Sequence, residues 1–497
     1  MGKYILAVDQ STQGTKGLLF DKSGKLIGRA DHGHRQLVNE KGWVEHDPEE
    51  IFLNTLEVCR EVVEQTGISK KDICAMGISN QRETSLAWNK ETGKPVYNAI
   101  VWQCSRAAEI CKRHEAEAEL VRRKTGLKLS PYFPASKMQW LMENVPGAGK
   151  LAEKNQLALG TVDTWLLYHL TKDHTFKTDY SNASRTQLFN LETLTWDEEL
   201  LQLFGIPASA LAQVCMSDSA FGMTDLDGFL EKEIPICGVL GDSHGALFGQ
   251  NCRQPGQIKA TYGTGSSVMM NIGDKMHLSD KGIVTSIAWG MHDQVKYVLE
   301  GNLNYTGAVI SWLKDQMGLI SHAGETQEMA ELANPEDGTY FVPAFTGLGA
   351  PYWDAEATAM FTGITRTTGR REMVKAGLES IAYQITDLVE LMREETSCRE
   401  EELRVDGGPT ANRYLMQFQG DMAQTRISVP ELQELSGMGA AYMAGITAGV
   451  YQEDKIFDHI QRRIYEPTMN VNLREAKYNG WKQAVGQVLA HRGNKTF

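Results

Sequence analysis

Two stretches far apart in the chain share one order of elements, and that repeat constrains the fold more than any other feature. From residue 4, the β-rich run YILAVDQ passes through the small polar turn STQGT into a second run, KGLLFD, then through KSGK into LIGRA. Residues 257–274, QIKATYGTGSSVMMNIGD, again run from a strand through a Gly/Thr/Ser turn into another strand. Consecutive antiparallel strands joined by such turns are the expected local structure. A chain of 497 residues exceeds what one ordinary core can organise. The repeated start therefore predicts an α/β protein of two related domains, residues 1–252 and 253–497, facing each other across a cleft. The boundary is expected near Cys252–Pro255.

Between these starts strand and helix patterns alternate. ICAMGIS and ALGTVDTW read as strands, and residues 105–124 and 371–395 as amphipathic helices. LRVDGG reads as a strand ending in two glycines, followed by a helix entered through Pro409 and Thr410.

Composition narrows the class of partner. A net charge of −13 argues against nucleic acid or an anionic membrane surface. A phosphate ligand must then be met by local positive potential from backbone N–H groups, a few Lys or Arg, and a metal. The eight cysteines contain no C-x-x-C pair and read as reduced thiols. Only five consecutive apolar residues precede Asp9, so no signal peptide is expected, and Leu6 breaks a myristoylation pattern. No apolar run approaches a membrane span. The expected setting is cytoplasmic and soluble.

Several short motifs carry chemistry. In the first turn, Asp9 to Lys16, small residues let backbone N–H and hydroxyl groups approach phosphate oxygens. Lys16 adds charge, and Asp9 at the strand end suits Mg²⁺ held through water; an ordinary hairpin turn is the alternative. Tyr262-Gly263-Thr264-Gly265-Ser266 is G-x-G without the third glycine, so a dinucleotide fingerprint is not met. Gly347-Leu348-Gly349 and Gly437-Met438-Gly439 fail the same test and read as structural turns. There is no G-x-x-x-x-G-K-[ST]. Asp406-Gly407-Gly408 before a helix start permits close approach of a phosphate or a polar base edge, or is simply a tight turn. Arg82-Glu83 offers donors and acceptors for vicinal hydroxyls, against a solvated ion pair as the bland reading. Trp102 lies in an apolar run and reads as core.

Gly241-Asp242-Ser243-His244-Gly245 is formally G-x-S-x-G, the turn that presents a hydrolase serine. That chemistry also needs an ordered acid and histidine and a glycine-rich oxyanion loop, and no His-Gly-Gly run is present. A carboxylate at a strand end can instead accept a proton from a substrate hydroxyl. Asp242, not Ser243, is the expected reactive side chain.

A longer series of motifs appears in one order: DQST-x-x-T-K, GWVEHDP, GISNQRET, GKPVYNAIVWQC, SPYF, GTVDTW, TDYSNASRT, GD, TYGTG, PAFTGLGAPYWD, LESIAYQ and RVDGG. Together they resemble the FGGY carbohydrate kinases end to end, and within that family the glycerol-phosphorylating branch most. The resemblance implies two actin-like (ribonuclease H-like) ATPase domains with a catalytic cleft, and MgATP-dependent phosphorylation of a primary hydroxyl, glycerol giving glycerol 3-phosphate. Matched by position, Asp242 resembles the catalytic base, and Arg82, Glu83 and Tyr132 the residues that bind polyol hydroxyls. Thr12, Gln13 and Lys16 fall at the first phosphate loop, and Asp9 with Asp242 at the metal. Thr264, Gly307, Ser311, Gly408 and Asn412 fall at nucleotide contacts. Family members are often dimers or tetramers, although the sequence itself carries no interface signal.

Four positions depart from that branch. Ser243, followed by His244, replaces Gln; Ser267 replaces a Phe that lies against the glycerol carbons; Ser11 replaces Gly; and Ser311 replaces Gln at the adenine. Losing the Phe removes an apolar wall worth about 2 kcal/mol. Unpaired polar groups in a closed pocket cost about 1–3 kcal/mol, so Ser243, His244 and Ser267 need partners. A longer polyol or ketose would supply them, which leaves a tetritol, pentitol or xylulose-like substrate as the alternative to glycerol. A non-catalytic sugar or nucleotide sensor on the same fold is a third reading, which the intact Asp9, Asp242 and Arg82-Glu83 set opposes.

Overall fold

In the computed structural model, which describes residues 3–398 and 401–490, two large sheets follow one plan. The first contains β1 (Tyr4–Gln10), β2 (Gly14–Phe20), β3 (Leu26–Gly33), β4 (Ile73–Asn80), β5 (Gly222–Thr224) and β6 (Ile234–Gly241), in the order β5-β6-β4-β1-β2-β3. β1, β2 and β3 are antiparallel neighbours, whereas β1, β4 and β6 run parallel. The parallel strands are almost continuously buried, because helices cover both faces. On one face lies α1 (Pro48–Thr66), begun by the Asp47 side chain accepting from the Glu49 N–H and ended at Gly67 in the left-handed region. Two further helices of this half matter for the site: α2 (Pro134–Asn144) and α3 (Asp242–Gly249), which continues directly from β6.

The second sheet contains β7 (Ile258–Tyr262), β8 (Ser266–Gly273), β9 (Val284–Met291), β10 (Gln294–Leu303), β11 (Glu402–Asp406), β12 (Arg426–Pro430) and β13 (Arg462–Tyr465). Its order is β9-β10-β8-β7-β11-β12-β13, with β7, β8 and β10 antiparallel and β7, β11 and β12 parallel. The antiparallel start followed by parallel strands on the other side is therefore made twice. This is the actin-like plan. The helices of this half are α4 (Gly307–Asp315), the long α5 (Arg370–Thr396), α6 (Arg413–Ala423) and α7 (Leu435–Thr447). α5 and α6 bury Leu378, Ile381, Leu388, Leu415 and Met422 in the core against β7, β8, β10 and β11.

α7 comes from late in the chain yet covers the second face of the first sheet, packing on β1, β4, β6 and α3. It reaches α3 through glycines: a Cβ on Gly439 would stand 1.9 Å from the Gly245 carbonyl, and one on Gly249 2.4 Å from that of Leu435. Gly437-Met438-Gly439 is thus inside a helix and not a turn; its glycines serve close packing.

Other expectations also change in the structure. Residues 105–124 form two short helices, Ala108–Arg113 and Ala118–Thr125, separated by a 3₁₀ turn. The break falls at His114, whose ring bonds Gln139 at 2.9 Å and packs on Phe204, so docking overrides the helical pattern. ALGTVDTW is a strand only over Leu157–Gly160 and turns helical from Val162. The helix after Asp-Gly-Gly is capped by Asn412, with Pro409 and Thr410 in a 3₁₀ turn before it.

The glycine seam between α3 and α7 is testable. Gly439→Ala should cost about 1–3 kcal/mol by overpacking, read as a lowered urea midpoint. An unchanged midpoint would show that the two helices separate freely.

Candidate active site

The site lies where the C-terminal ends of the parallel strands of the first sheet face the second. β4 ends in Asn80, and the chain then carries Arg82 and Glu83 inward; both are buried, so the solvated ion pair is excluded. Arg82 sits between two carboxylates. Its Nε is 3.2 Å from Asp242 Oδ1, and its two terminal nitrogens donate to Glu300 at 3.0 and 2.8 Å. Glu83 accepts from Arg185 Nε at 2.6 Å. Asp242 opens α3 just after Gly241, where a Cβ would stand 2.7 Å from the Arg82 side chain. Its Oδ1 accepts its neighbour's N–H, that of Ser243, at 2.6 Å, and 35% of the side chain remains accessible.

Tyr132 joins this group. Burial, with Glu83 nearby, raises its phenol well above the usual range and keeps it a neutral donor. Its ring packs on Trp102 at 5.4 Å, and Trp102 Nε1 donates to Thr12 Oγ1 at 2.9 Å. Trp102 is thus half-buried between the polyol-type residues and the first turn, not a core residue. Behind Tyr132, the buried ammonium of Lys137 on α2 donates to the carbonyls of Pro131 and Tyr132 at 2.5 and 2.6 Å. Burial pushes Lys137 down to about 7.

The first turn lies alongside. Ser11, the residue that departs from glycine, closes it by donating to the Gly14 carbonyl at 2.9 Å. Gln13 is exposed at its tip. Asp9 is buried, accepts from Ser79 at 3.2 Å, and lies 3.9 Å from the Lys16 ammonium. Burial pushes its carboxyl up to about 6; Lys16 opposes the rise, and Asp242 and Glu434 add to it. Lys16 is not free: it donates to Glu434 at 2.7 Å, and Arg29 reaches the other oxygen at 2.6 Å.

In the second half, Gly307, Ser311, Gly408 and Asn412 all line one cavity of ≈350 Å³, with Leu378 and Leu415 among its apolar walls. The second turn is pressed against the start of α4: Gly307 N–H donates to the Gly263 carbonyl at 2.9 Å, and the exposed Thr264 accepts from Thr306 and Ala308. Gly407 has φ +100° and would place a Cβ 1.9 Å from the Tyr262 carbonyl, so only glycine suits it. Asn412 lines the cavity, but its carboxamide already caps Leu415 N–H and donates to Thr326.

Two of the three departing polar side chains find partners within the protein. Ser267 donates to Glu300 Oε1 at 3.2 Å, and His244 Nε2 lies 3.3 Å from Ser286 Oγ. Burial, reinforced by Arg82, holds His244 well below its ordinary range and neutral. Its Nδ1 has no partner among the described residues, and its other nitrogen meets Ser286 rather than Ser243, so no hydrolase pair forms. Glu300, Lys137 and Glu434 escape a motif reading, and Arg185, although inside TDYSNASRT, is given no role by it. Each is a lone charge in an ordinary strand, helix or loop, and only its burial beside another segment marks it.

Residues 4–249 match the N-terminal domain, and residues 258–448 the C-terminal domain, of the FGGY family of carbohydrate kinases. The chain is 48% identical to glycerol kinase 1 of Thermotoga maritima, over 98% of this chain and 99% of that one. It is 46% identical to glycerol kinase of Treponema denticola, with the same coverage of both chains. Among solved structures, Plasmodium falciparum glycerol kinase with ADP superposes with a TM-score of 0.92 at 34% identity, over 98% of each chain. A xylulose kinase from Lactobacillus acidophilus shares the fold at a TM-score of 0.88 and 22% identity, over 99% of each. A doubled actin-like frame, a buried Arg-Glu pair beside an accessible aspartate, and matches over nearly the whole length lead to one conclusion: this chain belongs to the FGGY family of carbohydrate kinases.

Proposed function

We propose that this chain transfers the γ-phosphoryl group of ATP to a primary hydroxyl of glycerol, giving glycerol 3-phosphate. The observation that carries the reading is the meeting of Arg82, Glu83, Tyr132 and Asp242 at one seam, beside a turn suited to phosphate. Residues 1–252 supply the polyol grip, the first phosphate turn and the base; residues 253–497 supply the nucleotide cavity. The substrate hydroxyls are held by the Arg82 donors, the Glu83 carboxylate and the Tyr132 phenol. Asp242 accepts the proton of the attacking hydroxyl, and Arg82 Nε keeps its carboxylate oriented at 3.2 Å.

The cavity beside α4 fits an adenine: apolar walls for its faces and backbone of Gly307 and Gly408 close to its edge. Thr12, Gln13 and Thr264 sit on the two turns where phosphates would lie, and Lys16 reaches them by exchanging Glu434 for phosphate oxygens. The donor chemistry also fits Mg²⁺, which takes one or two carboxylates plus phosphate oxygens and water. Asp9 and Asp242 are the two, and Asp9, buried at the strand end, already faces positive charge in the Lys16 ammonium 3.9 Å away. When bound, the metal neutralises charge on the phosphoryl oxygens. Among the described residues no helix is long and apolar enough to cross a membrane, and all eight cysteines are free thiols. A reducing, cytoplasmic setting suits such a chain.

Incubated with MgATP and glycerol, the protein should form glycerol 3-phosphate, seen by ³¹P NMR. Asp242→Asn should reduce turnover by at least 10³-fold, in the range expected of a general base, while ATP still binds. Near-normal turnover in the Asp242→Asn variant would remove Asp242 from the mechanism.

Asp9 makes a second prediction, about stability. A carboxyl raised on folding contributes stability that is present below about 3.8 and lost as pH rises through about 6. The difference corresponds to about 3 kcal/mol. Asp9→Asn should therefore stabilise the ligand-free protein at pH 8 by on the order of 2–3 kcal/mol, with the gain vanishing near pH 4. Denaturation midpoints at the two pH values measure this, and no gain at pH 8 would contradict it.

A further inference from the structure

Glu300 lies in no motif, yet it is the most enclosed carboxylate of the site, with a side chain fully shielded from solvent. It projects from β10, an interior strand of the second sheet, flanked by β8 and β9. From there it crosses to the first half and takes both terminal nitrogens of Arg82, at 3.0 and 2.8 Å. Arg185, also fully buried, places Nη1 2.8 Å from Glu300 Oε2, a charge contact rather than an aligned hydrogen bond. The same Arg185 donates through Nε to Glu83. Ser267, on β8, adds a hydroxyl to Glu300 Oε1 at 3.2 Å.

The consequence is geometric. A guanidinium is planar and offers its donors in a fixed fork. With one edge clamped by Glu300, the remaining Nε edge of Arg82 is turned to Asp242 at 3.2 Å. Without that clamp, the fork is free to rotate and pair with Asp242 or Glu83 through its terminal nitrogens instead. Arg185 holds the second half of the grip, Glu83, against the same carboxylate.

We propose that Glu300 is a positioning residue for polyol binding: with Arg185 it sets Arg82 and Glu83 from the second domain, so that the grip on the substrate is complete only when the two domains are docked. The proposal rests on the polyol-kinase reading of this site. It assigns Glu300 no contact with substrate or nucleotide; it acts through Arg82. A role confined to gluing the domains together would lower stability alone, whereas a positioning role must alter affinity for the polyol in the folded enzyme.

The test uses the full-length protein with Glu300→Gln and Glu300→Asp. Aspartate keeps the charge but lacks the reach for the bidentate contact. Glycerol KM should rise in the order wild type, Glu300→Asp, Glu300→Gln, reaching tenfold or more in the last, while ATP KM moves less than twofold. Thermal midpoints are recorded alongside. Should Glu300→Gln not fold, Glu300→Asp and Ser267→Ala, which removes one hydroxyl from the carboxylate, carry the test, each with a two- to fivefold rise. A lowered midpoint with an unchanged glycerol KM in the variants that fold would overturn the proposal. A wild-type protein with no glycerol turnover at all would instead sink the polyol reading, and this proposal with it.

Discussion

The structure depends on burying the guanidinium of Arg82 without losing its charge. A lone buried cation is costly, and a buried pair is tolerable only when its geometry is nearly ideal. Here the compensation comes from three carboxylates on three segments: Asp242 at the start of α3, Glu300 on β10 and, at 3.9 Å, Glu83 beside it. Arg185 adds a second guanidinium against these three carboxylates. Removing one partner of such a cluster typically costs about 3–5 kcal/mol, so the arrangement ties the two sheets together as firmly as a patch of core. Gly241 belongs to the same constraint, since any side chain there would occupy the space of the Arg82 stem.

The doubled sheet plan explains why chemistry collects at this seam. In each half an antiparallel hairpin with a small polar turn is followed by parallel strands. The parallel strand ends of the first half carry Arg82 and Asp242, and those of the second lead to Asp406-Gly407-Gly408. Open sheets place ligands beyond the carboxyl ends of such strands. α3 links the two ends physically. Its first residue is Asp242, and just past its last turn the buried Gln250 accepts from Arg404 and Arg462 and donates to Asp406 at 3.0 Å.

Much of this is legible in the sequence, for physical reasons. The two strand–turn–strand starts, Asp242 after an apolar run and the Asp-Gly-Gly turn are local signals, written in consecutive residues. Gly307, Ser311, Gly408 and Asn412, named through family resemblance, meet in one cavity. What stays hidden is non-local. Glu300 is 218 residues from Arg82, and its own strand gives no hint of a partner. Lys137 looks like any helical lysine until its helix is folded behind the Tyr132 loop. Trp102 reads as core because its neighbours are apolar; only the fold shows its indole facing Thr12. The glycines of α7 read as a turn because close helix packing and tight turns favour the same residue.

Two of the four departures from the glycerol-kinase branch, and the His244 that follows a third, find partners within the fold. Ser11 closes its own turn, Ser267 donates to Glu300, and His244 is held neutral beside Ser286. Ser11 and Ser267, bonded from within, do not call for extra substrate hydroxyls, which weakens the case for a longer polyol. The most direct test is ADP release from MgATP across glycerol, erythritol, threitol, xylitol, ribitol, xylulose and dihydroxyacetone. This account predicts the highest kcat/KM for glycerol. A four- or five-carbon substrate favoured by tenfold or more would contradict it, showing that the serines open a larger pocket instead of closing on their own neighbours.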